Sequence, residues 1–272
     1  MKRAEQQRAL TVAVAATKAA GQSMRKNARS PKRVNVATQH DLKLELDVRC
    51  QALIVRRLLA AFPESSVFGE EGSTGAADAS LRWVVDPIDG TVNFAYGIPH
   101  ASVSIALQER VATPKRTRSR AGYETILGVV FDPFQGELWT ALRGAAARLN
   151  GEPTCVSARA KLNEAVVSLG FGKQAAVLRH MVPACQQLSD HVRKLRIMGS
   201  AALALTYVAS GRFDAFIELG LGWWDIAAGG LIVECAGGEF WRRGLPDGSY
   251  EVVASNGRLR RALAPHLPRT RT

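Results

Sequence analysis

Apolar residues recur at helical spacing in the first sixty residues of the chain. Residues 4–26 are rich in alanine with scattered charges, and this pattern predicts a helix that ends before Pro31. From Asp41 onward, apolar residues such as Leu46 and Leu58 return every three or four positions and predict a second helix, which the following Phe-Pro pair ends. We therefore expect two helices ahead of the first strand.

Alternation of apolar with small or polar residues follows in the middle of the chain. Val103, Ile105 and Leu107 alternate in this way within residues 101–108, and a period of two predicts a β-strand. Other short β-prone runs predict strands over 67–69, 82–85, 126–132 and 138–142. Helices followed by a group of strands indicate an α+β arrangement for this half.

Strands and helices alternate in the second half of the chain. Strands are predicted over 166–171, 194–197 and 214–218, and helices over 175–188, 200–210 and 225–235. Such alternation is typical of an α/β arrangement. We therefore predict an N-terminal α+β lobe of residues 1–152 and a C-terminal α/β lobe of residues 153–272.

Composition and charge narrow the class of protein. Of the 272 residues, 47% are hydrophobic and 22% are charged, which is ordinary for a globular protein with a core and excludes wholesale disorder. The chain has no uncharged apolar stretch of the roughly 18 residues that a membrane span needs. Its net charge of +12 favours anionic ligands such as phosphate esters, nucleic acid or acidic lipid headgroups.

The cysteines carry no motif. Cys50, Cys155, Cys185 and Cys235 lie far apart and form neither a C-x-x-C pair nor a cluster with histidine. Neither a zinc site nor a redox pair is therefore indicated. Isolated thiols are typical of a reducing compartment, and the N-terminal stretch has no convincing cleavage site, so we expect a cytoplasmic protein.

The strongest chemical signal is the segment DPIDGT at residues 86–91, directly after a predicted strand. It holds two carboxylates, Asp86 and Asp89, three residues apart. Gly90 permits a tight turn, and the backbone N–H groups of a helix that starts there would form an anion site. Carboxylates repel an anion unless cations lie between them, and oxygen ligands without His or Cys favour Mg²⁺. The segment therefore predicts metal-assisted phosphoryl transfer.

Further carboxylates lie at the ends of other predicted elements. Glu70 and Glu71 follow a strand, and Asp225 stands at the start of a helix. Taken singly, a Glu pair is usually a solvated loop, and an Asp before an apolar helix is usually an N-cap. Three carboxylate sites at the ends of elements in an α/β protein together favour one shared ligand site.

These segments resemble the inositol monophosphatase family, part of the Mg²⁺-dependent, lithium-sensitive phosphatase superfamily that includes fructose-1,6-bisphosphatase. The matching motifs are GEE at 69–71, DPIDGT at 86–91 and WDIAAG at 224–229, and the similarity extends from about residue 41 to residue 238. The resemblance implies a layered αβαβα sandwich of mixed α/β and α+β type with the active site between the lobes. It also implies a Mg²⁺-dependent phosphomonoesterase and a homodimer.

The resemblance implies the metal ligands. Glu70, Asp86 and the backbone carbonyl of Ile88 would bind a first Mg²⁺. Asp86, Asp89 and Asp225 would bind a second, so that Asp86 bridges the two ions. Two or three Mg²⁺ ions per subunit are expected.

The resemblance also implies the residues that act on the substrate. Asp47 and Thr91 would orient and deprotonate the attacking water, with Glu70 as the third catalytic residue. No phosphoenzyme is expected. The residues implied in substrate binding are Gly90, Thr91, Gly199, Ser200, Ala201 and Glu218.

The chain departs from the family pattern at three places. Val36 stands where relatives have Lys, and Lys43-Leu44 replaces a Val-Thr pair. Both changes affect a third, weaker Mg²⁺ and the charge beside the phosphate, for which Lys32 or Arg33 could compensate, as could Lys43 itself. A long basic connection at 114–120 replaces a short hairpin turn.

Several functions stay open at this point. Inositol monophosphate or a similar polyol phosphate is the first expectation, and histidinol phosphate, fructose 1,6-bisphosphate, a nucleotide 3′-phosphate and NADP are alternatives. An RNA- or transcription-associated regulatory protein on the same scaffold is the alternative from another class. The net charge, the connection at 114–120 and the Arg-rich tail at 258–272 suit RNA, but no basic motif interleaved with aromatic residues supports specific recognition.

Overall fold

The helices of the computed structural model lie where the sequence has helical spacing. The structure describes residues 1–37, 42–111, 119–120, 122–172 and 175–268, without the side chains of residues 119, 120, 175 and 176. The α-helices are α1 (Arg3–Asn27), α2 (Glu45–Ala61), α3 (Thr91–Ala95), α4 (Ala175–Ser189), α5 (Ala201–Ala209), α6 (Trp223–Cys235) and α7 (Arg260–Leu263). Within these described ranges, every helix is too short or too polar to cross a membrane.

The strands form one small antiparallel pair and two larger sheets. The strands are β1 (Val34–Ala37), β2 (Leu42–Leu44), β3 (Ser66–Gly69), β4 (Gly72–Thr74), β5 (Leu81–Asp89), β6 (Ser102–Arg110), β7 (Ser119–Arg120), β8 (Tyr123–Asp132), β9 (Glu137–Leu142), β10 (Arg148–Leu149), β11 (Glu152–Pro153), β12 (Val166–Leu169), β13 (Lys194–Arg196), β14 (Ala215–Leu221), β15 (Glu239–Gly244) and β16 (Tyr250–Ser255). The large sheet has the order β11-β10-β9-β8-β6-β5-β3-β4, with β7 paired to β8, and the small sheet has the order β13-β12-β14-β16-β15.

Successive side chains of one strand belong to different cores, because they point to opposite faces of the sheet. Trp83 and Val85 of β5 pack under α1 and α2, whereas Val84 packs against α5 and α6. In the small sheet, Phe216 belongs to the middle core and Ile217 to the core under α4. The layers are therefore α1–α2, large sheet, α5–α6, small sheet and α4–α7, which confirms the expected αβαβα sandwich.

The second helix begins later than the sequence predicts. Asp41 lies outside the described residues, Leu42–Leu44 form β2, and α2 begins at Glu45. Apolar spacing alone misses this start because Leu44 is a buried strand residue. The Asp47 carboxylate accepts the Leu44 N–H at 2.7 Å and closes the first turn of the helix.

β5 continues beyond its predicted end at residue 85. The register of its pairing with β6 shifts between Asp86 and Asp89. Such a shift accommodates Pro87, whose missing N–H would interrupt a regular ladder. The strands β1 and β2 lie ahead of the second helix, so the expectation of two helices before the first strand was wrong, and β15 and β16 were not expected either. The irregular end of β5 carries both carboxylates of the DPIDGT segment into the interior.

The proposed division into lobes falls at residue 152/153, inside β11, which pairs with β10 in the large sheet. The strands of the small sheet come from residues 166–255. The division stays a prediction. Residues 114–118 of the basic connection and 269–272 of the tail lie outside the described residues, whereas Ser119–Arg120 form β7.

Candidate active site

A cleft of about 270 Å³ opens where the end of β5, the start of α5 and the end of β14 come together. Residues from both halves of the chain line it. Asp47 does not line it, whereas the other residues implied by the motifs do: Glu70, Asp86, Ile88, Asp89, Gly90, Thr91, Gly199, Ser200, Ala201, Glu218 and Asp225.

Three carboxylates form a cluster at the base of this cleft, and we call Asp86, Asp89 and Asp225 the carboxylate cluster. One carboxylate oxygen of each lies within 4.8 Å of the others. Among the described residues, neither Asp86 nor Asp89 forms an ion pair with Lys or Arg. Burial raises the pKa of Asp86 well above its usual range, and the nearby carboxylates of Glu70, Asp89 and Asp225 raise it further. Such a concentration of like charge can accommodate a metal cation.

The turn at the end of β5 positions the first of these carboxylates. The Asp86 carboxylate accepts the N–H of Ile88 at 3.0 Å. Gly90, which follows the strand, has a φ of 89°, a left-handed conformation that glycine adopts without strain. A Cβ there would lie 3.0 Å from the carbonyl oxygen of His100 and 3.1 Å from that of Gly199. The turn therefore needs glycine for both its conformation and its close packing.

Asp89 joins the large sheet to the first turn of α5. Its carboxylate accepts the N–H of Ala201 at 3.2 Å and that of Ala202 at 2.9 Å, and the Ser200 hydroxyl also donates to it. The Ser102 hydroxyl approaches at 3.4 Å. Burial raises the pKa of Asp89, and these donors oppose the rise because they stabilise the ionised carboxylate.

Asp225 has two contacts of different kinds. One carboxylate oxygen accepts the N–H of Gly222 at 2.6 Å, which closes the first turn of α6. The same side chain contributes to the carboxylate cluster. The helix-capping interpretation and the ligand interpretation of this residue are therefore compatible.

Asp47 lies buried near the carboxylates of Glu70 and Glu71. One oxygen accepts the Leu44 N–H, and the other, Oδ1, is buried without a hydrogen-bond partner. Burial raises the pKa of Asp47 to about 7, and Glu70 and Glu71 add to the rise. The Thr91 hydroxyl donates a hydrogen bond to the backbone carbonyl of Ile88, 2.9 Å away in the same turn. The expected pairing of Asp47 with Thr91 is not made in this structure.

Comparison with known proteins agrees with the carboxylate motifs. A model of the inositol monophosphatase family matches residues 5–268. The chain belongs to this family. Inositol monophosphatase 1 of Solanum lycopersicum is 36% identical over 271 residues, which are 95% of this chain and 94% of the relative. The Nus factor SuhB of Pasteurella multocida is 36% identical over 233 residues, with 84% and 83% covered. The crystal structure of extragenic suppressor protein suhB from Bartonella henselae matches with a TM-score of 0.83 and 31% identity, covering 94% of this chain and 96% of that one.

In this inositol monophosphatase family member, the part of the cleft around Glu218 depends on a glycine that sequence reasoning missed. Gly170 follows β12, and a Cβ there would lie 1.8 Å from Oε2 of Glu218. Its three nearest atoms would all belong to the Glu218 carboxylate. The available signal was a glycine inside the strand predicted over 166–171, but only the fold brings Glu218 of β14 against it.

Asn93 is a second residue whose role the sequence does not reveal. Its side-chain nitrogen donates to the carbonyl oxygens of His100 at 2.9 Å and Met198 at 2.7 Å, and lies 3.4 Å from that of Gly199. One amide thus joins the turn after α3 to the loop before α5. Asn93 and Gly199 both line the cleft.

Three residues that depart from the family pattern, Val36, Lys43 and Leu44, lie outside the cleft lining. Val36 is exposed on β1 and pairs in register with Lys43 of β2. The Lys43 ammonium lies 3.3 Å from the carboxylate of Glu71. Lys32 donates to three backbone carbonyls at the end of α1, and its ammonium lies 4.8 Å from the centre of the Phe94 ring. The ammonium groups of Lys32 and Lys43 therefore have partners outside the carboxylate cluster.

Proposed function

We propose that the chain is a Mg²⁺-dependent phosphomonoesterase that hydrolyses inositol monophosphate or a similar polyol phosphate. The observation that carries the proposal is the carboxylate cluster, which lines the same cleft as Glu218. Family membership supports the same class of reaction.

The donor set suits Mg²⁺. The carboxylate cluster and Glu70 offer only oxygen atoms, and hard divalent cations prefer such ligands. Glu70, Asp86 and the Ile88 carbonyl would hold one ion, and the carboxylate cluster would hold the other. When bound, Mg²⁺ neutralises the phosphate and lowers the pKa of coordinated water. A third ion is not part of the proposal, because neither Val36 nor Leu44 offers a side-chain ligand.

The remaining residues would bind and orient the reactants. The backbone N–H groups of Gly90 and Thr91 would donate hydrogen bonds to the phosphate. The Glu218 carboxylate would accept a hydrogen bond from a hydroxyl of the alcohol. Asp47 has one oxygen without a hydrogen-bond partner, so this oxygen would accept a proton from the attacking water. In this step the Thr91 hydroxyl would donate its hydrogen bond to the Asp47 carboxylate instead of to a backbone carbonyl.

Gly199, Ser200 and Ala201 would complete the alcohol pocket. Water would attack phosphorus directly and release the alcohol and inorganic phosphate. A homodimer and a cytoplasmic location belong to the same proposal and stay predictions.

The experiment is phosphate release from a panel of esters with Mg²⁺ or with EDTA. The panel comprises inositol 1-phosphate, histidinol phosphate, fructose 1,6-bisphosphate, adenosine 3′,5′-bisphosphate and NADP. We expect Mg²⁺-dependent release, fastest from inositol 1-phosphate. Faster release from any other ester of the panel would overturn the substrate assignment. No release from any ester by the folded protein would overturn the enzymatic proposal itself.

A further inference from the structure

Basic side chains are concentrated in the first part of the chain. Residues 1–61 contain 13 Lys and Arg against four Asp and Glu, a net charge of +9 out of the +12 of the whole chain. These residues include α1 and α2, which form the outermost layer of the sandwich. The excess charge therefore lies on one side of the molecule.

The solvent-facing side of α1 carries no carboxylate beyond its first turn. Arg8, Lys18 and Arg25 are exposed, and at about 100° of rotation per residue they lie within an arc of about 100° on the helix surface. The exposed positions between them along this side are Thr11, Ala15 and Gln22. This side of α1 is thus positively charged along its length and has no long apolar side chain.

α2 lies beside α1 and continues the same surface. The two helices run antiparallel, because Arg8 donates to the carbonyl of Ala61 at 3.0 Å while the Cys50 thiol lies 4.0 Å from the carbonyl of Ala20. Both bury their apolar sides against the large sheet. The exposed basic residues of α2 are Arg49, Arg56 and Arg57.

We call Arg8, Lys18, Arg25, Arg49, Arg56 and Arg57 the basic face. Within the described part of the chain, none of its members forms an ion pair with a carboxylate. Arginine and lysine side chains in this state are available to an external anion.

Two hollows adjoin the basic face. The first, of about 580 Å³, lies between α1 and the β8–β9 hairpin and is lined by Lys18, Gln22, Arg25 and Asn150, among others. The second, of about 340 Å³, lies between the end of α1 and the start of α2 and is lined by Lys32, Arg33 and Arg49, together with Glu45, which pairs with Arg33 at 3.6 Å. The charged surface is therefore concave in two places rather than flat.

We propose that the basic face binds nucleic acid through its phosphodiester backbone, without reading the bases. A polyanionic strand complements both the charge and the hollows, and Gln22 and Asn150 can add hydrogen bonds to phosphate oxygens. The side of α1 offers no aromatic ring for base stacking and no long apolar side chain for a bilayer. This function lies on another surface than the carboxylate cluster and is independent of the phosphatase proposal.

The test uses the full chain and fluorescein-labelled 30-mers of arbitrary sequence, one a single-stranded RNA and one a duplex DNA. Fluorescence anisotropy gives the affinity between 50 and 200 mM KCl. About six phosphate contacts predict a loss of affinity on the order of 10³-fold over that range.

Two matched triple variants locate the surface. Lys18→Gln, Arg25→Gln and Arg56→Gln together remove three charges from the basic face. Arg193→Gln, Arg258→Gln and Arg261→Gln together remove three exposed charges from the C-terminal half. The first variant should lower the slope of log affinity against log salt by about 2 to 3 and weaken binding at least tenfold at low salt. The second should change affinity less than about twofold, and circular dichroism and melting temperature confirm that both are folded.

Three results would overturn the proposal. One is no binding of either 30-mer at 50 mM KCl by the folded chain. Another is an equal loss of affinity in the two triple variants, which would mean that net charge alone governs binding. The third is binding to phosphatidylserine-containing vesicles, lost in the first variant, with no binding to either 30-mer, which would assign the basic face to anionic membranes.

Discussion

The carboxylate of Asp89 accepts the backbone N–H of Ala202 at 2.9 Å, although 113 residues separate the two along the chain. Asp89 ends β5 of the large sheet, and Ala202 lies in the first turn of α5 in the middle layer. A residue proposed to bind metal is therefore also the group that caps a helix of the neighbouring layer. Folding of that interface and assembly of the candidate site depend on one side chain.

This double role predicts unequal effects of two isosteric substitutions in the absence of Mg²⁺. Asp89→Asn leaves only one acceptor for two backbone N–H groups and the Ser200 hydroxyl, and should lower the free energy of unfolding by about 1–3 kcal/mol. Asp86→Asn keeps the oxygen that accepts the Ile88 N–H and removes a buried charge from among like charges. It should leave stability unchanged or raise it. Urea denaturation in EDTA measures both, and an equal destabilisation by the two substitutions would contradict the assignment.

Mg²⁺ should stabilise the native chain, because a cation that binds only the folded state shifts the unfolding equilibrium. We expect the melting temperature to rise with Mg²⁺ concentration in the native protein and to stay constant in Asp86→Asn. The control replaces the Mg²⁺ salt with KCl at the same ionic strength, in buffer without Ca²⁺. A rise of the same size in Asp86→Asn would show that Mg²⁺ binds elsewhere.

Gly170 should control the position of Glu218. Gly170→Ala places a methyl group where the Glu218 carboxylate lies, so it should displace that carboxylate and raise KM for inositol 1-phosphate by about tenfold, with a smaller change in kcat. In a Glu218→Ala background the methyl group no longer meets a carboxylate. There the same substitution should change KM less than about twofold.

The double-mutant comparison separates this account from general damage to the fold. Additive effects of Gly170→Ala and Glu218→Ala on KM would mean that the glycine is needed for another reason. Melting temperatures of the single and double variants should follow the same pattern, with Gly170→Ala less harmful when Glu218 is already Ala.

Asn93 should be needed as an amide. Asn93→Asp turns a carboxylate oxygen toward the carbonyls that the nitrogen now contacts, and should lower the free energy of unfolding by about 1–3 kcal/mol. Asn35→Asp, on the exposed strand β1, makes the same chemical change without such contacts and should leave stability within about 0.5 kcal/mol of the native value. Urea denaturation compares the two, and equal effects would contradict a role for the Asn93 amide.

Local signals in the sequence predicted individual elements and the carboxylates at their ends, whereas the layered sandwich was expected from the resemblance to the family. Alternation predicted β6, and the strand-end position of Asp86 predicted a carboxylate at a sheet edge. Asp225, at the start of a predicted helix, was both an N-cap candidate and a candidate metal ligand. In the structure its carboxylate accepts the Gly222 N–H and belongs to the carboxylate cluster. Periodicity and the chemistry of element ends suffice for such features.

Contacts between distant segments were not predictable in the same way. The packing of Glu218 on Gly170 and the bonds from Asn93 to Met198 depend on how two layers meet, which no spacing within either segment encodes. The start of α2 was misplaced because Leu44 continues the apolar pattern while belonging to a strand. The roles of Asp47 and Thr91 remain predictions.

The central claim is that the carboxylate cluster performs Mg²⁺-dependent hydrolysis of a phosphate monoester. The most direct test measures inorganic phosphate released from inositol 1-phosphate by the native chain and by Asp86→Asn, each with Mg²⁺ and with EDTA. The account predicts release by the native chain with Mg²⁺ and a loss of at least about 10²-fold in the other three reactions, with Asp86→Asn still folded. Comparable release by Asp86→Asn, or by the native chain in EDTA, would contradict it.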